Sequence, residues 1–219
     1  MDKIPDSMLL GFDYAKSGSR TFISACSTIN STYSSLYSKH DVCEQSSDKF
    51  KMMKMLALDC IKGYNDRNDA PPKELLIFFN SCTSDQVITY HEQFFIPLLN
   101  ELNEIFPRIQ LGITGVMVNI KNSERFFLNE KSVRNVQAGT LISSQIVSEN
   151  YDFFLISQQS NKGSTVPNHY KVIFNTSKLE EGHLQELIFG QCFNYVNWTG
   201  SIKVPSVLQY AKKSAKFSS

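Results

Sequence analysis

The residues able to do chemistry are few and scattered along this sequence. Asp13 closes the short run Gly11-Phe12-Asp13, where a carboxylate either serves a cation or is satisfied by backbone donors. His40 and His183 belong to no four-ligand zinc pattern, and no zinc site is expected at either. His91 falls on an apolar helical stripe and reads as core, and His169 opens a β pattern after Pro167. Five cysteines, odd in number and widely spread, contain no C-x-x-C pair, which fits reduced thiols better than a disulfide framework or a zinc knuckle. No Gly-rich phosphate loop and no Ser–His–Asp order is present. From Lys203 onward the chain carries Lys203, Lys212, Lys213 and Lys216 without one acid, its one locally basic stretch. Trp198 either stacks a base or covers the end of the preceding helix, and both readings stand.

Those residues need elements to position them, and composition bounds what the elements can be. The chain has 219 residues, 42% hydrophobic and 20% charged, with a net charge of +1. That suits one globular domain and excludes a disordered tail, a collagen-like fibre or a pure coiled coil. Any role with nucleic acid must rest on local placement of charge. The apolar run Leu75–Phe79 is strand-length, far short of the roughly 20 residues a bilayer span requires. With no signal-peptide pattern at Met1–Asp6, the expectation is a cytoplasmic protein, the nucleus being the alternative, with no membrane partner.

Met8–Asp13 and Thr21–Ile29 predict two strands joined at Lys16-Ser17-Gly18-Ser19, and Ser31–Tyr37 predicts a third. Phe50, Met53, Ala57, Ile61 and Tyr64 then step at helical spacing, with Gly63 and a polar run ending the helix. Met52, Met53 and Met55 read as core filler. Leu75–Phe79 predicts a strand buried on both faces. Thr83 and Gln86 have capping-box spacing before a helix with Val87, His91, Phe94, Leu98, Leu102 and Ile105 on one face. Ile113–Val118, Asp152–Ser157 and His169–Phe174 predict further strands. Leu184, Ile188, Cys192 and Tyr195 mark another helix, and Pro205 opens a last one. The expected fold class is α/β: three early strands, then strand–helix alternation around a mixed sheet.

The local sequences sharpen that order. Gly11-Phe12-Asp13, Asn135–Thr140, Tyr151–Ser157, Gly163–Tyr170 and Pro205–Ala211 resemble, in order and spacing, the characteristic blocks of Piwi domains of Argonaute and Piwi proteins. The resemblance implies a ribonuclease-H-like fold, a mixed central sheet flanked by helices, over residues 8–219. The amino-terminal, PAZ and MID regions of a full Argonaute would precede this stretch.

The same resemblance implies the chemistry to look for. Active members cut RNA with two divalent cations about 4 Å apart, held by acidic side chains. Asp13 matches the first of these. Ser81 stands at the second Asp position and Lys212 at the His or Asp position after Tyr210-Ala211, while the Glu position falls near Asp48. A hydroxyl is a weak ligand, and an ammonium opposes cation occupancy. The expectation is therefore no catalysis, no metal and no cofactor. The segment Val118–Phe127 is similar to the family strand-loop that lies along guide phosphates, which implies phosphate contacts for Lys121 and Arg125, with Lys203 and Tyr195 as further candidates. The implied partners are a small single-stranded RNA or a guide–target duplex and silencing partner proteins. Two alternatives stay open: a protein-interaction remnant that has lost RNA binding, and a residual metal-dependent ribonuclease using Asp13, Asp48 and Asp85.

Overall fold

A computed structural model describes the chain apart from residues 1–5, 45–47, 81–83, 130, 145–150, 161, 178 and 219. Ser81 and Thr83 thus lie outside the described residues, as does the side chain of Asp85.

Three antiparallel strands open the chain: β1 (Ser7–Ser17), β2 (Arg20–Thr28) and β3 (Leu36–Cys43). Helix α1 (Lys49–Asn68) crosses to β4 (Glu74–Asn80), and the helical run α2 (Ser84–Tyr90), a π turn (His91–Phe95) and α3 (Ile96–Ile105) leads to β5 (Gly112–Asn119). Short strands β6 (Phe127–Asn129) and β7 (Val133–Asn135) pair as a separate hairpin. Strands β8 (Leu141–Ile142), β9 (Asp152–Leu155) and β10 (Asn168–Asn175) complete the main sheet, followed by α4 (Glu181–Gln191) and α5 (Ser206–Ser218). The eight-stranded sheet runs β3-β2-β1-β4-β5-β10-β9-β8, with β1, β4 and β5 parallel in the middle. It is a ribonuclease-H-like arrangement, and the buried run Leu75–Phe79 is its centre, apolar on both faces because helices cover both.

Strand alternation splits the core in two. Met8, Leu10 and Phe12 face α1 and α3, packing with Phe79, Phe94 and Phe95. Leu9 faces the other way with Leu76, Phe78 and Val116, against α4 and α5.

The sequence expectations fail where tertiary contacts intervene. Residues 30–35 form a loop in place of the third strand, because the Asn30 carboxamide oxygen accepts from the amides of Ser34 and Ser35 at 3.0 Å each. That side chain diverts the chain, so β3 starts only at Leu36. Helix α1 runs through Gly63 to Asn68 because Gly63 lies against the Tyr37 ring and Tyr64 is buried. Burial there offsets the roughly 1 kcal/mol cost of a helical glycine. The π turn inserts a residue into the straight stripe expected from Val87 to Ile105. Phe94 and Phe95 are consequently both buried, and His91 is exposed with its ring edge on Phe174. Gly115 makes room for Phe95: a Cβ there would come within 2.1 Å of its ring. Of the methionines read as core, Met53 is buried while Met55 is exposed. Helix α4 ends at Gln191, so Tyr195 lies on the loop beyond it.

Candidate nucleic-acid interface

The site begins with a close approach. Gly11 has no Cβ, and one placed there would sit 2.5 Å from the backbone carbon of Val207. The missing methyl lets the first turn of α5 rest directly on β1. Strand period two then puts Asp13 on the same side of β1 as Gly11, beneath α5. Pro205 ahead of Ser206 starts the helix with φ preset. The buried Ser206 hydroxyl donates to Gln191 Oε1 at 3.0 Å and ties that start to the end of α4.

Asp13 is buried in this angle. Its Oδ1 accepts from the Tyr14 amide at 2.8 Å, and its Oδ2 accepts from Asn80 Nδ2 at 3.2 Å. Asn80 ends β4, next to β1, so the strand pairing itself brings the two together. Burial pushes the carboxyl above its ordinary value, opposed by the Tyr14 amide, Lys212, Asn80 and Lys216. Lys212 and Lys216, one helical turn apart on α5, therefore present positive charge to Asp13. On the opposite side, Lys49 lies over the Tyr14 ring, 4.2 Å from its centroid, and donates to Tyr90 Oη at 3.4 Å.

Next to Asp13 and Asn80, a cavity of about 240 Å³ is lined by Asn80, Gln158, Lys203 and Lys212. Lys203 is mounted firmly. Its carbonyl accepts from Ser157 Oγ at 2.8 Å, from Tyr170 Oη at 3.4 Å and from Asn168 Nδ2, while the residue itself is exposed. Gln158, Ile202 and Gln209 also line a larger groove of about 830 Å³ between α5 and the loop after α4.

The residues singled out from sequence fall in separate places. Lys203 and Lys212 meet at the smaller cavity. Lys121 and Arg125 occupy the exposed loop after β5, whose neighbour Ile120 lines that same cavity. Arg125 folds back, Nη1 donating to the carbonyls of Asn122 at 3.1 Å and Glu124 at 2.7 Å. Tyr195 is 8% exposed, its ring 4.9 Å from that of Tyr210, and it lines the larger groove. Asp48 is exposed at the start of α1. His169 is structural: Nε2 lies 3.1 Å from Asp152 Oδ2 and the ring stacks on Phe154. The approach of Asn80 and Lys216 to Asp13 is not legible in the sequence, although Lys216 belongs to its basic stretch. Only their register against Asp13, one strand over and one turn on from Lys212, could have shown them.

Two divalent cations need several convergent carboxylates. Among the described residues no group of three or more His, Cys, Asp or Glu comes together to hold a metal. Among the described residues the charges that act on Asp13 are the ammonium groups of Lys212 and Lys216, and each carboxylate oxygen accepts one hydrogen bond. That described donor set does not fit a cation pair. It fits an anion at the neighbouring cavity better, since Lys203 and Lys212 are the only charged groups among its described lining residues. Among the described residues no helix is long and apolar enough to cross a membrane.

Comparison with known proteins agrees with this architecture. The profile of the Piwi domain matches residues 2–218. Protein piwi of Drosophila melanogaster is 29% identical over 95% of the chain, and Piwi-like protein Siwi of Bombyx mori is 25% identical over 97%. The chain spans about a quarter of the length of each, 25% and 24%. The crystal structure of Drosophila Piwi superposes with a TM-score of 0.83 at 25% identity, covering 98% of this chain and 30% of that one. Kluyveromyces polysporus Argonaute with a guide RNA superposes with a TM-score of 0.79 at 20% identity, covering 96% and 26%, a likeness of fold.

Proposed function

This chain belongs to the Piwi domain family, and from that premise we propose that it holds small single-stranded RNA, or a guide–target duplex, for gene silencing without cutting it. The observation that carries the reading is the small cavity lined by Lys203 and Lys212 beside a buried Asp13 whose two oxygens each accept a hydrogen bond. Lysines at that point attract phosphate oxygens and repel the cations that cutting would require. Lys121 and Arg125, on the exposed loop beside the same cavity, extend the basic surface along a strand. Arg125 reaches a phosphate by exchanging its two carbonyl partners for phosphate oxygens. Phosphate contacts of this kind set position and register, while base pairing supplies sequence. Silencing partner proteins complete the assembly. The described thiols of Cys26, Cys43, Cys60 and Cys192 are buried and free, which suits a reducing compartment such as the cytoplasm.

The test is anisotropy of a labelled, 5′-phosphorylated single-stranded RNA titrated with the chain at several salt concentrations, with Mg²⁺ or Mn²⁺ present and the RNA recovered afterwards. The expected result is binding with a log–log salt slope of about −2 or steeper, near −0.7 per contact for three contacts, and intact RNA. Lys212→Ala and Arg125→Glu should each weaken binding and flatten that slope. No binding by folded chain at low salt would sink RNA holding and favour the protein-interaction reading. Metal-dependent cleavage that Asp13→Ala abolishes would overturn the non-cutting part.

A further inference from the structure

Connecting segments run over a protein surface, where water can satisfy their backbone groups. The carbonyl of exposed Lys203 instead turns inward onto three buried side chains, Ser157, Asn168 and Tyr170. The amide of Ile202, one residue earlier, donates to the Cys192 carbonyl at 2.8 Å, and Val204, one residue later, is buried. The Lys203 backbone is thus fixed while its side chain stays in solvent.

Strand pairing builds this nest. Asn168 and Tyr170 lie two apart on β10 and so on one face, and Asn168 stands opposite Leu155, two residues before Ser157. Burial holds the Tyr170 phenol well above its ordinary value, so it stays a neutral donor. Asn168 sits at the centre. Its amide nitrogen donates to Ser157 Oγ at 2.9 Å as well as to the Lys203 carbonyl, which accounts for both its hydrogens. Its Oδ1 is buried and has no hydrogen-bond partner among the described residues. An unpaired buried oxygen costs stability, so a side chain selected for stability alone would be apolar here. What the asparagine supplies is its two donors.

The residue before it holds the other basic segment. Asn122 Nδ2 donates to the Pro167 carbonyl at 2.9 Å, and the Asn122 carbonyl accepts from Arg125 Nη1 at 3.1 Å. Pro167-Asn168 is therefore a common anchor: a carbonyl fixes the loop of Lys121 and Arg125, and a carboxamide fixes Lys203. The pairing of β10 with β5, His169 opposite Asn119, keeps the two segments in register. Long basic side chains lose rotamer freedom when they bind, so backbones held at a set spacing lower the cost of two contacts made together.

We propose that Asn168 is a positioning residue: buried and out of reach of any ligand, it holds the Lys203 backbone at a fixed separation from the Lys121–Arg125 loop. The inference rests on the RNA-holding reading and adds to it the means by which two separate phosphate contacts are kept in register. Asn168 acts through Lys203, so its effect on binding vanishes when the Lys203 ammonium is absent.

The experiment is a double-mutant cycle on Asn168→Ala and Lys203→Ala in the full chain. It is read by anisotropy of the 5′-phosphorylated single-stranded RNA at several salt concentrations, with circular dichroism to check folding. Lys203→Ala alone should flatten the log–log salt slope by about 0.7, one phosphate contact. Asn168→Ala should flatten it in the same direction and weaken binding about 2- to 10-fold, the range of one hydrogen bond, although Lys203 is intact. The double variant should bind like Lys203→Ala alone, which a merely destabilising change would not produce. Ser157→Ala removes another donor to the same carbonyl and should show the same non-additivity, which keeps the test decisive should Asn168→Ala fail to fold. An unchanged slope in folded Asn168→Ala would overturn the positioning. So would Asn168→Ala weakening the Lys203→Ala chain as much as it weakens the parent. Lys203→Ala binding with the parent's affinity and slope would overturn it too, and leave RNA holding to the other basic residues. No RNA bound by the folded parent would overturn both readings.

Discussion

The two faces of the central sheet are built on different principles. The face under α1 and α3 is a cluster of rings: Phe79 meets Phe12, Phe94, Phe95 and Tyr90, with centroids 4.9 to 5.8 Å apart. The face under α4 and α5 is more mixed in composition. It holds Gly11, buried polar Asp13, Asn168, Gln191 and Ser206, and the lysines of α5 above them. Aromatic contacts give that first face area and specific geometry, so it carries stability. A backbone-to-backbone approach at Gly11 and hydrogen-bonded polar groups give the second face a place where a ligand can be positioned. A sheet with one rigid apolar side leaves the other free to trade apolar contact for chemistry.

The largest effect expected from that contrast is on the aromatic face. Phe95→Ala removes a ring stacked on Phe174 at 4.5 Å and wedged over Gly115. It should cost about 3–5 kcal/mol in urea unfolding, while the salt slope of RNA binding in the fraction that stays folded is unchanged. Loss of the slope as well would mean that the two faces are not separable. The next effect is on the other face. Gly11→Ala forces a methyl against the Val207 backbone and must lift α5. The expectation is about 1–3 kcal/mol of destabilisation, with a drop in RNA affinity larger than that of any equally destabilising variant under α1. Equal drops would break the comparison.

The smallest effect concerns pH. Burial holds the Asp13 carboxyl above its ordinary 3.8. The native state therefore binds that proton more tightly than the unfolded chain does. The resulting stability is fully present below pH 3.8 and is lost as pH rises through the folded value. Asp13→Asn removes that dependence. Urea midpoints of the parent should fall, relative to those of Asp13→Asn, as pH is raised from about 3 through that window. Parallel profiles would mean that Lys212, Lys216, Asn80 and the Tyr14 amide cancel the desolvation completely.

Much of the first face is legible in the order of its amino acids. The helical spacing of Phe50, Met53, Ala57, Ile61 and Tyr64 is a local property, and α1 follows it. The same spacing misleads at His91. A straight α-helix and one with a π turn have nearly the same apolar pattern, and the choice is made by Phe95 seating in the gap at Gly115. Tyr195 misleads for a related reason: it continues the α4 stripe in spacing, but the helix stops at Gln191 and Tyr195 turns onto Tyr210. On the second face, the run Gly11-Phe12-Asp13 and the lysines after Pro205 point to the right elements. Nothing in either segment says that Asn80 binds Asp13, since that contact exists only through the pairing of β1 with β4.

By itself, the sequence determined the α/β kind of fold, the order of its principal strands and helices but not the short β6–β7 hairpin, and where its basic residues are concentrated. Those follow from periodicity, turn residues and composition, each read within a few neighbouring positions. The tertiary structure alone decided that Gly11 would seat α5, that Lys216 would join Lys212 in facing Asp13, and that Trp198 and Phe217 would share one groove. Each of those depends on segments far apart in the chain meeting across a sheet, and no local pattern records where strands separated by a crossover will lie.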